Sequence, residues 1–465
     1  INYKDRHDFP ANLIQRKDGC RRTVRLHRMW PYYPELLETP VPRYTSYPTA
    51  ADFDLLPACH YRSALERTEG EVSLYLHIPF CEQICFYCGC NTGKANRRQR
   101  LESYLHALHR EIETVGALLP RGTHVRRVAF GGGSPNAIAP AEFLRLLDAL
   151  AHHFELDDPI FSIELDPRTM SREWAQALCT AGVERASLGV QTFATHCQQA
   201  IGRLQPEDQI VQTVDRLRES GVASINFDLM YGLPGQTLAD LEDSMHRTRV
   251  LDADRVALFG YAHVPHVVPR QRMIDASALP GRDARFEMAA AGFGYFLTHG
   301  YLPVGFDHFA KAGSDPLAAA VTSGRLRRNF QGFTDDPSDV LIGLGASAIS
   351  SFAGLIAQNE KNSGRYRMKA GEGQLTVTRG IHRSADDRYR GSIIEKLLCE
   401  GRSRVGARMF AEVAPRLSPF IERRLVSIDR EWLRIEPDGL PYARTIASFF
   451  DAYRSVSPRQ FSSAV

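Results

Sequence analysis

Between residues 72 and 264 the chain repeats one rhythm, a short apolar run followed by a longer stretch with helical periodicity. The apolar runs are 72–78, 127–130, 161–165, 185–190, 225–230 and 256–261. The helical stretches between them are 101–118, 141–153, 172–180, 207–220 and 238–250. Near-continuous apolar strands alternating with amphipathic helices predict a parallel sheet with right-handed crossovers, because a parallel neighbour is reached only by a long connection. Six such units make either a partial α/β barrel or an open doubly wound sheet. Both collect ligands at the C-terminal ends of the strands. Those ends are rich in glycine and polar residues here. Phe130 runs into Gly131-Gly132-Gly133-Ser134-Pro135, Ile163 into Glu164 and Asp166, Val190 into Gln191, Phe227 into Asp228, and Tyr261 into Ala262-His263.

After about residue 265 the rhythm loosens, with one further helix expected over 284–298 and several glycine-rich loops. From residue 381 the pattern is mainly helical and predicts a small C-terminal domain. Residues 1–28 are polar and basic without a period, and Met29 follows; this stretch reads as a disordered or non-native extension. A segment 29–71 then leads into the repeating region at 72–380.

Composition narrows the classes. Lys plus Arg exceed Asp plus Glu by 57 to 54, a net charge of +3. That balance speaks against a nucleic-acid or membrane-surface partner. No apolar run approaches the length of a membrane span. Nothing in the sequence calls for an obligate partner chain, so a monomer is expected. Of nine cysteines, four fall between positions 81 and 90 and the rest are scattered, which is not a secreted disulfide framework. A reducing cytoplasm is the expected compartment.

The cysteine cluster is Cys81-Glu-Gln-Ile-Cys85-Phe-Tyr-Cys88-Gly-Cys90. Structural zinc sites generally pair two such turns across a longer loop, and no second pair exists here. A compact loop of thiolates suits an iron–sulfur cluster better. Three cysteines on a four-iron cubane leave one iron open to chelate the amino and carboxylate groups of a small molecule. The histidines His263, His266 and His308 near the candidate loops match no zinc spacing and read as hydrogen-bonding residues.

C-x3-C-x2-C after an apolar strand, with a glycine run one βα unit later, resembles the radical S-adenosylmethionine enzymes. Longer stretches sharpen this: Pro42 to Thr49, Leu74 to Cys81, Cys88-Gly89-Cys90-Asn91, Ile163 to Pro167, Gly189-Val190-Gln191 and Asp228 to Pro234. Tyr261-Ala262-His263, Asp307 to Ala310, Arg328 to Gly332 and Gly345 to Ser350 complete the set. Together they are similar to the oxygen-independent coproporphyrinogen III oxidases (coproporphyrinogen dehydrogenases) of heme synthesis, from about residue 29 almost to the end.

That resemblance implies a partial (β/α)6 radical S-adenosylmethionine barrel with parallel strands and a smaller, mainly helical C-terminal domain. It implies a [4Fe-4S] cluster held by Cys81, Cys85 and Cys88, with Cys90 not a ligand. Tyr75, Gly132, Glu164 and Ile349 match positions around the S-adenosylmethionine on the cluster. Tyr87, Gly133, Ser134, Gln191, Arg203, Asp228 and Ala262 match positions around a second S-adenosylmethionine. Phe330 and Gln331 match a segment needed for activity. Tyr87 and Ser134 depart from the family's usual Phe and Thr but keep the ring and the hydroxyl. The implied reaction is oxidative decarboxylation of two propionates of coproporphyrinogen III to vinyl groups, giving protoporphyrinogen IX. It needs a one-electron reductant and an electron acceptor that the sequence does not name. The basic stretch with Arg325, Arg327 and Arg328 suggests a cavity wall where cations meet substrate carboxylates. Two other readings remain at this point. A heme-chaperone-type relative shares the three-cysteine spacing but usually lacks a counterpart of Cys90 and of the 43–49 segment. A structural metal protein would show no turnover at all.

Overall fold

The structure is a computed structural model describing residues 30–95 and 98–454; the extension read at 1–28 lies outside the described residues. Six parallel strands carry the architecture: β1 (Glu71–Ile78), β2 (His124–Gly132), β3 (Glu155–Leu165), β4 (Val183–Gln191), β5 (Ser224–Tyr231) and β6 (Arg255–Gly260). They pair in sequence order, each parallel to the last. Helices α1 (Arg98–Gly116), α2 (Pro140–His153), α3 (Arg172–Thr180), α4 (Glu207–Glu219) and α5 (Leu238–Val250) form the crossovers, and α6 (Arg282–Thr298) follows β6. Local chemistry sets the helix starts. Ser171 caps α3 through the Trp174 amide, and Thr237 and Asp240 form a reciprocal capping box at α5.

One expectation needs correction. The strands are not apolar on both faces. On β1, Val72, Leu74, Leu76 and Ile78 are fully buried, while Ser73, Tyr75 and His77 alternate with them. On β4, Ala186, Leu188 and Val190 are buried toward the helices, and Arg185, Ser187, Gly189 and Gln191 occupy the other face. Asn226 and Asp228 do the same on β5, where Asn226 Nδ2 donates to Ser187 Oγ at 2.9 Å. The polar face is concave and lines a lumen, which selects the partial barrel over the flat doubly wound sheet. Each fully buried Leu or Phe on the outer face contributes about 2 kcal/mol. The inner face contributes chemistry instead.

The lumen is closed at the N-terminal strand ends by an ion-pair plug. Asp335 accepts from Arg127 of β2 at 2.9 Å and from Arg185 of β4 at 2.7 Å and 3.1 Å. Ser73 of β1 donates to Asp336 at 2.5 Å. The two guanidiniums hold the Asp335 carboxyl well below the usual carboxylate range, against its burial.

Beyond the barrel the sheet grows at both edges. Strands β7 (Tyr301–Val304) and β8 (His308–Lys311) add antiparallel beside β6. A hairpin of β9 (Arg327–Asn329) and β10 (Gly332–Thr334) follows. Strand β11 (Val340–Leu344) then runs parallel to β1 on the other edge. Strands β12 (Ile349–Phe352), β13 (Leu355–Asn359) and β14 (Val377–His382) continue antiparallel from it. Buried Glu111 of α1 locks this edge down. It accepts from the Gly345 amide at 2.6 Å, Thr376 Oγ1 at 2.6 Å, Tyr366 Oη at 2.7 Å and Asn359 Nδ2 at 2.9 Å.

The C-terminal region begins with a capping box at Ser384 and Asp387 that starts α7 (Ala385–Glu400). Gly401, at φ +67°, ends α7 in the left-handed conformation that glycine adopts without strain. Helix α8 (Ala407–Glu422) follows. Sequence periodicity missed a three-stranded antiparallel sheet of Arg402–Arg404, Val426–Asp429 and Trp432–Ile435. Its strands are three or four residues long, too short to show a period. The N-terminal segment ties this region to the barrel. Trp30 packs at a tilt against Phe293 of α6 with ring centroids 4.7 Å apart, Tyr442 Oη donates to Pro31 O at 2.7 Å, and Tyr44 Oη donates to Asp451 at 2.9 Å. Among the described residues no helix is long and apolar enough to cross a membrane.

Candidate active site

The cysteine loop leaves the C-terminal end of β1 and is clamped by backbone hydrogen bonds. Phe80–Cys81 pairs parallel with Gly93–Lys94, the Gly93 amide reaches Pro79 O at 2.8 Å, and the Ala95 amide reaches Cys81 O at 3.0 Å. From the far side, the Phe86 amide donates to Ile201 O at 2.9 Å. Within the loop Cys85 is buried, Cys81 and Cys88 are half-buried and Cys90 is exposed. Arg203 Nη1 approaches Cys85 Sγ at 3.4 Å and Arg168 Nη2 at 3.7 Å. Two guanidiniums thus lie against one sulfur.

The glycine run at the end of β2 is built to let backbones meet. The Gly133 amide donates to Ile78 O at 2.9 Å and the Ser134 amide to Phe80 O at 2.7 Å. A Cβ on Gly133 would sit 2.5 Å from Phe80 O, and one on Gly132 would sit 2.5 Å from the His77 ring. Gly132 also holds φ +114°, which disfavours any side chain there. Gly132 and Gly133 therefore let the end of β2 lie flush against the segment that delivers Cys81, and Gly131 leaves room for the Glu164 carboxyl, 2.8 Å from where a Cβ would stand.

Glu164 stands at the end of β3 and faces the lumen. It is exposed to the lumen space yet surrounded by protein, and it accepts from the Gly132 amide at 3.1 Å. Burial pushes its carboxyl up to about 7, with nearby Asp228 adding to the rise and the Gly132 amide opposing it. Asp228, on β5, accepts from Asn226 at 2.8 Å and from Ser187 at 3.3 Å, and burial also raises its carboxyl. Gln191 ends β4 at φ +68°, a strained conformation for a non-glycine residue and one found disproportionately at ligand sites. Tyr75 lies on the inner face of β1, with its hydroxyl 3.2 Å from His77 Nδ1. Burial takes the His77 pKa down to about 4, so its ring is neutral near pH 7.

Several sequence-derived positions have local partners that were not foreseen. Arg203 is shared between Asp166 at 3.4 Å, Gly189 O at 2.6 Å and Cys85, so it already faces a carboxylate. The Ser134 hydroxyl donates to Asn136 at 2.8 Å, and Asn136 in turn bonds the Asp166 backbone. Ala262 follows β6, and its carbonyl accepts from Gln271 Nε2 at 3.1 Å. The same Nε2 reaches Tyr87 O at 2.9 Å, so buried Gln271 ties the cysteine loop to the end of β6. Ile349 opens β12, just beyond Ser347, whose hydroxyl is 3.5 Å from His77 Nε2.

Phe330 and Gln331 form the tip of the β9–β10 hairpin, on the β6 side of the mouth. Gln331 is exposed and Phe330 half-buried, and neighbouring Arg328 donates to Tyr44 O and Arg43 O at 3.1 Å. Of the basic stretch only Arg328 turns inward. Arg327 pairs with Asp339 at 3.0 Å and Arg325 is exposed. His308 Nδ1 lies 2.6 Å from Asp307, and His263 Nδ1 is 2.9 Å from Tyr261 Oη. Sequence reasoning did not single out His77, Arg168, Asn136 or Gln271. His77 and Asp166 lay inside quoted motifs. Gln271 carries no local signal, because one glutamine in a 3-10 turn has no pattern.

A Radical SAM superfamily model matches residues 75–248. An oxygen-independent coproporphyrinogen III oxidase from Bradyrhizobium diazoefficiens is 40% identical, over 92% of this chain and 98% of that one. The Paracoccus denitrificans protein of the same name is 39% identical, over 90% and 95%. The crystal structure of coproporphyrinogen III oxidase (HemN) from Escherichia coli superposes with a TM-score of 0.86 at 34% identity, covering 91% of this chain and all of that one. The chain belongs to the oxygen-independent coproporphyrinogen III oxidase family. As members of this family, these enzymes use a [4Fe-4S] cluster and S-adenosylmethionine. The residues fit such a group: three thiols share one clamped loop, two guanidiniums lie against the buried one, and the adjoining strand end carries no side chain at Gly131, Gly132 and Gly133.

Proposed function

We propose that this chain oxidatively decarboxylates two propionate side chains of coproporphyrinogen III to vinyl groups, giving protoporphyrinogen IX in oxygen-independent heme synthesis. The observation that carries this reading is the clamped three-thiol loop at the mouth of a polar lumen, in a chain of this family. Cys81, Cys85 and Cys88 hold the cluster and Cys90 does not. Tyr75, Gly132, Glu164 and Ile349 surround the S-adenosylmethionine next to it. Tyr87, Gly133, Ser134, Gln191, Arg203, Asp228 and Ala262 surround a second molecule, and Phe330 and Gln331 act from the hairpin above.

Held by Cys81, Cys85 and Cys88, a reduced cluster with S-adenosylmethionine beside it would supply the radical chemistry needed to take hydrogen from a propionate β-carbon. The chain's own work is positioning and exclusion. The glycine run lets its backbone carbonyls approach the amino group of a bound amino acid. Glu164 accepts hydrogen bonds at the lumen wall, and its raised pKa lets it hold a proton near neutrality. Asp228 presents a carboxylate suited to a pair of ribose hydroxyls. The plug at Asp335 shuts the lower end of the lumen against water. A cytoplasmic setting supplies the reductant and the acceptor.

The test is anaerobic incubation of the reconstituted protein with coproporphyrinogen III, S-adenosylmethionine and a chemical reductant. Protoporphyrinogen IX together with 5′-deoxyadenosine is expected. Deoxyadenosine without porphyrin product would overturn the substrate assignment and favour the heme-handling relatives. Neither product, in protein carrying a full cluster, would overturn the enzymatic reading.

A further inference from the structure

Four arginines from distant parts of the chain converge on the β6 side of the barrel mouth. Arg43 comes from the N-terminal segment, Arg285 from the start of α6, Arg328 from β9 and Arg444 from the C-terminal region. Arg43, Arg285 and Arg444 line one cavity with Tyr231, Ala262 and Asp307. The cavity measures about 60 Å³, room for a carboxylate group or a few waters and far too little for a tetrapyrrole. Arg328 stands directly behind it. Its guanidinium is 5.4 Å from the Phe306 ring, and that of Arg444 is 5.6 Å from the same ring.

Among the described residues, three arginines line this cavity against one carboxylate. Its lining holds one carboxylate, Asp307, and that group is already engaged by His308 at 2.6 Å. Arg444 is 9% exposed, and burial together with the Arg43 charge brings its pKa down to about 10. Arg328 Nη1 and Arg285 Nε are buried and have no acceptor among the described residues. Surface arginines would be solvated at no cost, but cations gathered in a protein-walled pocket are unfavourable until an anion joins them. The pocket also adjoins the candidate site. Arg43 lies 4.8 Å over Phe259 on β6, and Gln271 links the Ala262 wall to the cysteine loop.

We propose that Arg43, Arg285 and Arg444 form the docking site for one propionate carboxylate of the substrate, with the macrocycle lying toward the barrel mouth. This rests on the function proposed above. The three side chains supply forked donors that match a carboxylate. Asp307 balances part of their charge when the cavity holds only water. Arg325 and Arg327, prominent in sequence, take no part.

The holoenzyme and its variants R43M, R285M, R444M and R444K test this, with exposed R325M as the control. KM for coproporphyrinogen III should rise at least tenfold in each methionine variant, should recover partly in R444K, and should stay unchanged in R325M. S-adenosylmethionine cleavage without porphyrin should keep its wild-type rate throughout, which separates lost docking from lost folding. A fluorescence titration with coproporphyrin III and with its tetramethyl ester completes the test. Wild type should prefer the free acid strongly, and the methionine variants should lose that preference. KM values within twofold of wild type in R43M, R285M and R444M would overturn the proposal and leave the function standing. If wild type made no protoporphyrinogen, the function would fall. The titration would then still decide the arginine site, an undiminished preference for the free acid in the variants counting against it.

Discussion

The two sides of the barrel mouth are built by opposite means. On the β1–β3 side the surface is backbone and sulfur. Three glycines strip the end of β2 of side chains so that it can lie against Glu164, His77 and Phe80 in turn, and the thiols sit on one ten-residue loop. On the β6 side the surface consists of long charged side chains, Arg43, Arg285, Arg328 and Arg444. Arg43, Arg328 and Arg444 lie against aromatic rings, and Arg43, Arg285 and Arg328 donate to backbone carbonyls. A surface made of backbone tolerates almost no substitution, because a Cβ has nowhere to go. A surface made of arginines loses affinity in steps, one donor pair at a time.

The sharpest way to break the contrast is at the sulfurs. Replacing Cys81, Cys85 or Cys88 with Ala should abolish cluster absorbance and reduce turnover more than a thousandfold, whereas Cys90→Ser should keep most of its iron. Equal iron loss in the Cys90 variant would erase the distinction between ligand and bystander. Next in size is Gly133→Ala, whose new methyl would meet the Phe80 carbonyl at 2.5 Å. Iron content after reconstitution should drop to under a tenth of wild type. Gly354→Ala, where nothing lies within 4 Å, should be neutral in the same assay.

A smaller effect is expected at the link between the two sides. Gln271→Leu removes both the Tyr87 and Ala262 bonds while keeping volume, so turnover should fall about fivefold with full iron content. Smallest is a pH effect at the lumen wall. The folded chain holds the Glu164 carboxyl at about 7, above the 4.5 of a free side chain. The group's stability contribution is therefore fully present below about pH 4.5 and is lost as pH rises through 7. In the cluster-free protein, Glu164→Gln should melt about 2 °C above wild type at pH 8.5 and level with it at pH 4.5. An equal offset at both pH values would contradict the raised pKa.

The same contrast explains what could be read from the sequence. The cysteine loop and the Gly131–Gly133 run are each contiguous, because backbone geometry is a local property, and both are legible in the sequence. The six strand positions were legible for a related reason: their outer faces must be apolar to meet the helices. The polar inner face was misread as part of a continuous apolar run, since short strands with small inward residues such as Ser187 and Gly189 dilute the alternation. The arginine pocket was invisible. Arg43, Arg285 and Arg444 are each more than 150 residues from the next, and no pattern marks a long side chain that turns inward. Gln271 was missed for the same reason, and Arg325 looked more important than it is because basic neighbours cluster in sequence and disperse in space.

If one side of the mouth makes the radical and the other holds the substrate, variants on the two sides must fail differently. The measurement that tests this most directly is the ratio of 5′-deoxyadenosine to protoporphyrinogen IX in anaerobic turnover, compared between wild type and R444M. One radical per propionate gives a ratio near two in wild type, and in R444M the ratio should climb severalfold as radicals form without a seated substrate. An unchanged ratio in R444M, with both products falling together, would contradict the division of labour across the mouth.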